Sequence, residues 1–167
     1  MKDIYVSRAI IETPKGSRNK YKYDGTTNFF ELDKILPSGT GFPFDFGFIP
    51  GTKGEDGDPL DVIVFMDVPA FPGCSVKCRL IGVLEIEQKK KKEKKIRNDR
   101  FIGIENNSLL FAHVHSINDV NEKLLHEVIE FFRYYSEMEE KKFYLLRTGD
   151  SQAAKKLIKK NLEENNS

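Results

Sequence analysis

The chain has 167 residues, of which 39% are hydrophobic and 32% charged, and its net charge is +1. This length favours one domain with a core large enough to fold without disulfides or structural metals. No apolar run reaches 18 residues and no apolar amino-terminal segment precedes a small-residue cleavage site. We therefore expect no membrane span and no signal peptide, and the cytoplasm is the expected compartment.

The first two-thirds of the chain carry the pattern of strands separated by turns. The segments DIYVSRAII, YKYD and NFFELDKIL predict three strands, with Pro, Gly and Ser between the first two. Residues 37–59 are crowded with Gly, Pro and Phe, which excludes a helix and requires burial of the aromatic rings. LDVIVFMDV and SVKCRLIGVLEIEQ predict two more strands, the second broken near Gly82. RFIGIE is expected to pair with that long strand as a hairpin, and SLLFAHVHSI predicts another strand or an approach to a helix.

The last third changes to helical periodicity. From Val120 onward apolar residues recur at helical spacing, which predicts a helix over about 119–140 with Asn118 or Asp119 as its cap. SQAAKKLIKKNLEEN predicts a second helix over about 151–165, capped by Asp150 or Ser151.

Strands followed by two helices predict an α+β, mainly β fold. We expect a single domain over residues 1–167, with a small β-barrel over about 4–115 flanked by the two carboxy-terminal helices. Cys74 and Cys78 are too few for a disulfide framework or a four-cysteine zinc site, so they are expected to be reduced.

One short segment is strongly basic. Residues 89–100 hold eight Lys or Arg and two Asp or Glu, a local charge of +6, so the rest of the chain carries −5. A solvated hairpin tip explains this run, and so does an electrostatic attraction for polyanions. No aromatic residue interrupts it, so we expect no specific nucleic-acid binding.

Three aspartates, Asp56, Asp58 and Asp61, lie within the segment GEDGDPLDVIVF and lead into an apolar strand. Carboxylates this close together repel one another unless a positive charge lies between them. Magnesium prefers oxygen ligands, and this spacing can supply them. An exposed turn remains an alternative, because DGDP is favourable turn chemistry by itself. A calcium EF-hand is excluded, since no glutamate follows at the required spacing.

The segment EDGDPLDV resembles the signature of the soluble family I inorganic pyrophosphatases. AIIETPKGSRNKYKYD, GFPFDFGFIPGT, CSVKCRLIGVLEI and HVHSINDVNEKLLHEVIEFFRYYSEME are similar to further segments of that family and occur in the same order. Together they cover about residues 4–145. The resemblance implies a five-stranded OB-type barrel with helices outside it, and Mg²⁺-dependent hydrolysis of pyrophosphate by a metal-activated water. It also implies a homo-oligomer, such as a hexamer.

The resemblance assigns expected roles residue by residue. Asp56 and Asp61 match metal ligands, and Asp58 matches the base that helps to activate the nucleophilic water. Glu12 matches an active-site acid that acts behind the metal ligands. The remaining matches are phosphate-binding residues: Lys20, Lys34, Arg100 and Tyr135. For Tyr135, core packing is the alternative role.

Several positions depart from the family pattern. Lys22 occupies a glutamate position, Phe42 and Phe46 occupy tyrosine positions, and Ser136 occupies a lysine position. Gln88 and Asn98 align with two further metal-binding aspartates of the family, and Arg100 aligns with a lysine.

Asp99, one residue from its aligned position, is a further candidate ligand, although a shift of one residue in an extended segment turns a side chain to the other face. The aligned site gains about three positive charges relative to the family pattern, comparable to one or two Mg²⁺ ions.

These departures lead to a hypothesis and two alternatives. The chain holds fewer metal ions than the family does, with Lys22 in place of one. The first alternative is a catalytically weakened protein of this fold that binds phosphate compounds or a partner. The second is an OB-like module that binds polyanions through the lysine run.

Overall fold

The computed structural model describes residues 5–162, which form nine strands and two α-helices. In chain order the strands are β1 (Val6–Thr13), β2 (Asn19–Asp24), β3 (Phe29–Ile35), β4 (Asp45–Ile49), β5 (Leu60–Phe65), β6 (Ser75–Lys90), β7 (Ile96–Arg97), β8 (Arg100–Glu105) and β9 (Lys141–Asp150). The helices are α1 (Glu122–Met138) and α2 (Ser151–Lys160), and a short 3₁₀ turn spans Ile117–Asp119. No helix in this part of the chain is long and apolar enough to cross a membrane.

Five strands form a near-closed sheet. They are hydrogen-bonded in the order β1, β4, β5, β8 and β6, and β6 also pairs with β1. Only the β5–β8 pair is parallel in this ring. β6 has the predicted irregularity, because its register with β8 shifts between Leu80 and Gly82. The predicted pairing of RFIGIE with this long strand is confirmed.

The sheet packs between two apolar clusters. Alternate residues of β5 enter different clusters: Ile63 and Phe65 pack with α1, whereas Val62 and Val64 pack with α2. A strand buried on both faces reads as a nearly continuous apolar run, as VIVF does here. The predicted burial of the aromatic segment is confirmed, since the rings at 42, 44, 46 and 48 are all buried.

The helices are shorter than the sequence pattern predicted. α1 begins after Asn121, whose side chain accepts hydrogen bonds from the backbone N–H groups of residues 123 and 124. Asp119 instead caps the preceding 3₁₀ turn. The predicted cap Asp150 does begin α2. The structure ends this helix at Lys160, and the last predicted residues, 163–165, lie outside the described part.

One strand was missed and one predicted strand is absent from its expected place. β9 follows α1 and pairs antiparallel along the carboxy-terminal half of β6, from Gly82↔Asp150 to Lys90↔Lys141. Residues 108–115, expected as a strand or a helix approach, form turns. Asp67 fixes these turns by accepting hydrogen bonds from Ser108 Oγ and from two backbone N–H groups. The sheet thus includes β9, a strand that follows α1 in the chain.

Candidate active site

A cavity of about 320 Å³ opens between the β2–β3 ribbon, the turn before β5, the start of β8 and the end of α1. Its lining combines three kinds of side chain. The carboxylates are Glu12, Asp33, Asp56, Asp58, Asp61 and Glu139; the cations are Lys20, Lys22, Arg100 and Lys141; the aromatic residues are Tyr23, Phe46, Phe48 and Tyr135. Such a mixture of fixed negative and positive charges suits a small polyanion together with a cation.

A tight turn presents the first two aspartates. The N–H of Asp58 donates to Asp56 Oδ1 at 3.1 Å, and Gly54 donates to the carbonyl of Asp58 at 2.8 Å. Gly57 adopts φ = +87°, a left-handed conformation that glycine reaches without steric cost. The turn chemistry of DGDP thus has a positional consequence, because it directs both carboxylates into the same cavity.

Asp61 is placed by the sheet and is held by a buried arginine. It is the second residue of β5, and the parallel register puts it directly beside Arg100, the first residue of β8. Arg100 Nη1 lies 2.5 Å from Asp61 Oδ2, and only 6% of the arginine side chain is exposed. The guanidinium lies over the rings of Phe46 and Phe132, at 5.9 and 5.2 Å from their centroids. We call Asp56, Asp58 and Asp61 the acidic cluster, with Asp61 at its inner end. Asp61 therefore already has a counter-charge.

A chain of neutral side chains continues from Arg100 into α1. The same Nη1 donates to Asn98 Oδ1, and Asn98 Nδ2 donates to Gln88 Oε1 at 2.8 Å. Gln88 Nε2 donates to Ser136 Oγ at 2.7 Å, and both of these residues are buried. Four of the positions that depart from the family pattern are thus linked to one another by hydrogen bonds.

Lys22 forms a second internal ion pair at the outer end of the cluster. Its Nζ lies 3.2 Å from Asp58 Oδ2, with side-chain exposures of 47% and 55%. Burial alone would lower the pKa of Lys22, but the Asp58 carboxylate raises it above its ordinary value. The ammonium is therefore charged at neutral pH, and nearly half of the side chain is exposed to solvent.

Glu12 lies deep in the cavity with an altered acidity. Burial raises its pKa to about 7, against the opposing effects of a hydrogen bond from the N–H of Tyr23 and of the nearby Lys20. Lys20 is itself buried and lines the same cavity. Glu12 can therefore accept or release a proton near neutral pH.

Tyr135 and Lys34 are neighbours, but they meet the cavity differently. Tyr135 lines it from α1, and burial raises the pKa of its hydroxyl, which therefore stays protonated. Lys34 lies over the ring of Tyr135, and its Nζ pairs with Glu139 at 2.6 Å. Burial alone would raise the pKa of Glu139, but hydrogen bonds from Lys34 and Lys141 lower it to about 2. Lys34 is thus placed behind the cavity wall rather than in it.

Asp99 does not join the other three aspartates. Its carboxylate accepts from the backbone N–H of Ile86 at 2.9 Å and pairs with Arg97 Nη2 at 2.9 Å. Side chains alternate along an extended segment, so Arg100 faces the main cavity, whereas Arg97 and Asp99 face the other side. Asp99 lines a smaller, adjoining cavity of about 90 Å³ beside α2, which Asn98 and Asp56 also border.

Sequence reasoning missed three charged members of the cavity. Asp33, Glu139 and Lys141 line it, and the last comes from the start of the unpredicted β9. For Glu139 and Lys141, the charged residues around the end of α1 are the only sequence signal.

The donor set limits how a metal ion can bind. Within residues 5–162, no three His, Cys, Asp or Glu side chains stand close enough to hold a metal ion together. Asp56 and Asp58 nevertheless line one cavity. Magnesium is commonly bound through one or two carboxylates, with water and substrate phosphates as the remaining ligands. The residues present fit that mode.

Solved structures that match this fold include inorganic pyrophosphatases. The inorganic pyrophosphatase from Thermus thermophilus matches with a TM-score of 0.83 and 33% identity, over 95% of this chain and 90% of the other. The one from Coxiella burnetii matches with a TM-score of 0.84 and 29% identity, over 96% and 95%. The predicted fold class, a mainly β OB-type fold with two helices, is confirmed.

The chain belongs to the inorganic pyrophosphatase family. The family model for inorganic pyrophosphatase matches residues 9–166. The inorganic pyrophosphatase of Synechocystis sp. is 41% identical over 149 residues, which are 89% of this chain and 85% of the relative. That of Nostoc sp. is 38% identical over 95% of this chain and 90% of the relative. These matches confirm the predicted family and support pyrophosphate hydrolysis with a divalent metal ion.

Proposed function

We propose that this protein hydrolyses inorganic pyrophosphate to two phosphates in the presence of Mg²⁺. The observation that carries this proposal is the opposition of charges in one cavity, where the Asp56–Asp58 turn faces Lys20 and Arg100. The first group suits a hydrated divalent cation and the second suits phosphate oxygens. We further propose that the protein is a homo-oligomer, as the family resemblance implies, and that it is located in the cytoplasm.

Asp56 and Asp58 are the side chains that would hold the metal ion. When bound, a divalent cation neutralises phosphate charge and lowers the pKa of a coordinated water. Asp58 is the proposed base, because its half-exposed carboxylate can take the proton that the attacking water loses. Glu12, with its pKa of about 7, is a second group able to hold a proton in the same space.

The cations and the tyrosine position the substrate. Lys20 and Arg100 place positive charge against phosphate oxygens in a wall that is otherwise partly aromatic. The protonated hydroxyl of Tyr135 can donate a hydrogen bond to a phosphate oxygen. Lys34 contributes to substrate positioning indirectly, through its contacts with Glu139 and with the ring of Tyr135. Phosphoryl transfer depends mostly on such positioning and charge neutralisation.

The direct test is phosphate release from pyrophosphate with Mg²⁺. We expect Asp58→Asn to lower kcat by about 100-fold or more, which is the usual contribution of a positioned base. Glu130→Gln is the matched control, because Glu130 lies on α1 outside the cavity and pairs only with exposed Arg133. Equal rates for the wild type and Asp58→Asn would contradict the assigned role. Tight pyrophosphate binding without phosphate release by the wild type would contradict the proposed function.

A further inference from the structure

Arg100 is fixed in a way that a substrate-binding cation does not require. The partners of Nη1 are Asp61 Oδ2, at 2.5 Å, and Asn98 Oδ1. Nε is buried without a hydrogen-bond partner among the described residues, and two aromatic rings flank the guanidinium. An arginine held on several sides, with little access to water, cannot easily leave its carboxylate.

The neutral relay behind Arg100 selects for a cation at this point. Gln88 Nε2 donates to Ser136, so Gln88 Oε1 is free to accept from Asn98 Nδ2. Asn98 consequently turns its Oδ1 toward Arg100. Each amide both donates and accepts, and the relay ends on a positive group without adding any negative charge. Carboxylates at Gln88 and Asn98 could not supply these donors.

The two ends of the acidic cluster therefore differ in their need for a cation. At the inner end, Asp61 and Arg100 cancel, and an ion brought to Asp61 would meet a guanidinium at close range. At the outer end, Asp56 and Asp58 carry two negative charges, while Lys22 supplies one positive charge from an accessible position. The Asp56, Asp58 and Lys22 group therefore retains one net negative charge, whereas the Asp61–Arg100 pair retains none.

We infer that Arg100 is a built-in cation that takes the place of a divalent ion at Asp61, so that Asp56 and Asp58 alone recruit the metal ion before substrate binds. This inference rests on the proposed function and specifies which carboxylates of that site bind metal. Asp61 then acts as a positioning residue, because it holds Arg100 against the wall of the phosphate site. Arg100 carries its charge permanently and needs no ion concentration to maintain it.

Mn²⁺ is a direct probe, since its binding can be counted by electron paramagnetic resonance and by calorimetry without substrate. For the metal-stripped wild type we expect one Mn²⁺ per chain. Asp56→Asn and Asp58→Asn should each weaken this binding by tenfold or more. Asp61→Asn should leave both the count and the affinity within about twofold of the wild type.

The decisive variant is Arg100→Gln, which should gain a second Mn²⁺ per chain because Asp61 then lacks its counter-charge. Adding Asp61→Asn to Arg100→Gln should abolish that second ion, and Arg100→Lys, which keeps a cation, should bind one ion as the wild type does. Circular dichroism and urea unfolding establish that each variant is folded. If Arg100→Gln does not fold, Arg100→Lys and Asp61→Asn still decide the question.

Loss of an Mn²⁺ ion in Asp61→Asn, or two ions in the wild type, would overturn the inference, as would a wild type that binds no Mn²⁺. Phosphate release is measured on the same samples. A wild type that shows the expected Mn²⁺ pattern but releases no phosphate would refute the proposed activity and leave the role of Arg100 standing.

Discussion

Individual residues of the site differ in how far the sequence could place them. Asp56 and Asp58 are predictable, because DGDP is a local turn whose geometry depends on Gly57 and on one side-chain hydrogen bond. The pairing of Asp61 with Arg100 is not, because it depends on the register of two strands that are 39 residues apart in the chain. Strand alternation predicts that a shift of one residue turns Asp99 away from the other aspartates, and its carboxylate does lie on the other face.

Glu12 should make the free energy of unfolding depend on pH. Its pKa is about 7 in the folded protein and near 4.5 in the unfolded chain, so the fold binds this proton more tightly. The stabilisation is complete below pH 4.5 and is lost as the pH rises through 7, in total on the order of 3 kcal/mol. We expect Glu12→Gln to remove this loss.

Urea unfolding of the metal-free wild type and of Glu12→Gln, at pH 5 and pH 8, measures the difference. The free energy of unfolding of the variant should rise relative to that of the wild type between the two pH values. Parallel pH dependences for the two proteins would contradict a raised pKa at Glu12.

At the scale of elements, β9 shows where periodicity loses its predictive value. Its sequence, KKFYLLRTGD, has only two buried positions, Phe143 and Gly149, so no alternating apolar pattern marks it as a strand. It pairs with residues 82–90 of β6, on the edge where the pairing with β1 ends at Arg79, so a long-range contact places it there. The predicted helices are confirmed where the apolar face is wide, and their predicted ends were wrong by a few residues, because capping side chains decide where a helix begins.

Glu139 joins three elements just after α1, and its removal should have a measurable cost. It accepts hydrogen bonds from Lys34 of β3 and Lys141 of β9. We expect Glu139→Gln to lower the free energy of unfolding at pH 7 by about 1–3 kcal/mol, because two partly buried ammonium groups lose their charged acceptor. Glu130→Gln on the same helix should change it by less than about 0.5 kcal/mol.

The pH dependence separates this effect from a loss of packing. The lowered pKa of Glu139, about 2, means that its stabilisation is present above pH 4.5 and is lost as the pH falls through 2. Calorimetric melting curves of the wild type and Glu139→Gln should therefore converge toward pH 2. A gap that stays constant down to that pH would contradict the ionic account.

At the scale of the whole molecule, the charge is unevenly distributed over the fold. The turn between β6 and β7 exposes Lys91 and Lys92, and the adjoining strand ends place Lys89 opposite Lys142 and Lys90 opposite Lys141. Lys141 also lines the active-site cavity, so the lysine run adjoins that cavity. Like charges on opposite strands are unfavourable by themselves, and an approaching anion reduces their repulsion.

Electrostatic steering by the lysine run predicts a salt-dependent rate. The double variant Lys91→Gln and Lys92→Gln should lower kcat/KM for pyrophosphate about two- to fivefold at low ionic strength, with little change in kcat. The difference should vanish at about 1 M salt, where the screening length falls to about 3 Å.

The matched control is Lys156→Gln with Lys159→Gln, which removes the same charge from α2, a helix that contributes no residue to the cavity lining. Equal losses in the two double variants would show that total charge matters rather than its position.

We expect this site to hydrolyse pyrophosphate although Asp58 and Asp61 are each paired with a cation. The most direct measurement is the initial rate of phosphate release by the purified wild-type protein with pyrophosphate and Mg²⁺, against the same sample with EDTA. We predict Mg²⁺-dependent release of two phosphates per pyrophosphate. A rate that equals the EDTA blank, from a protein that is folded and binds pyrophosphate, would contradict the expected Mg²⁺-dependent hydrolysis.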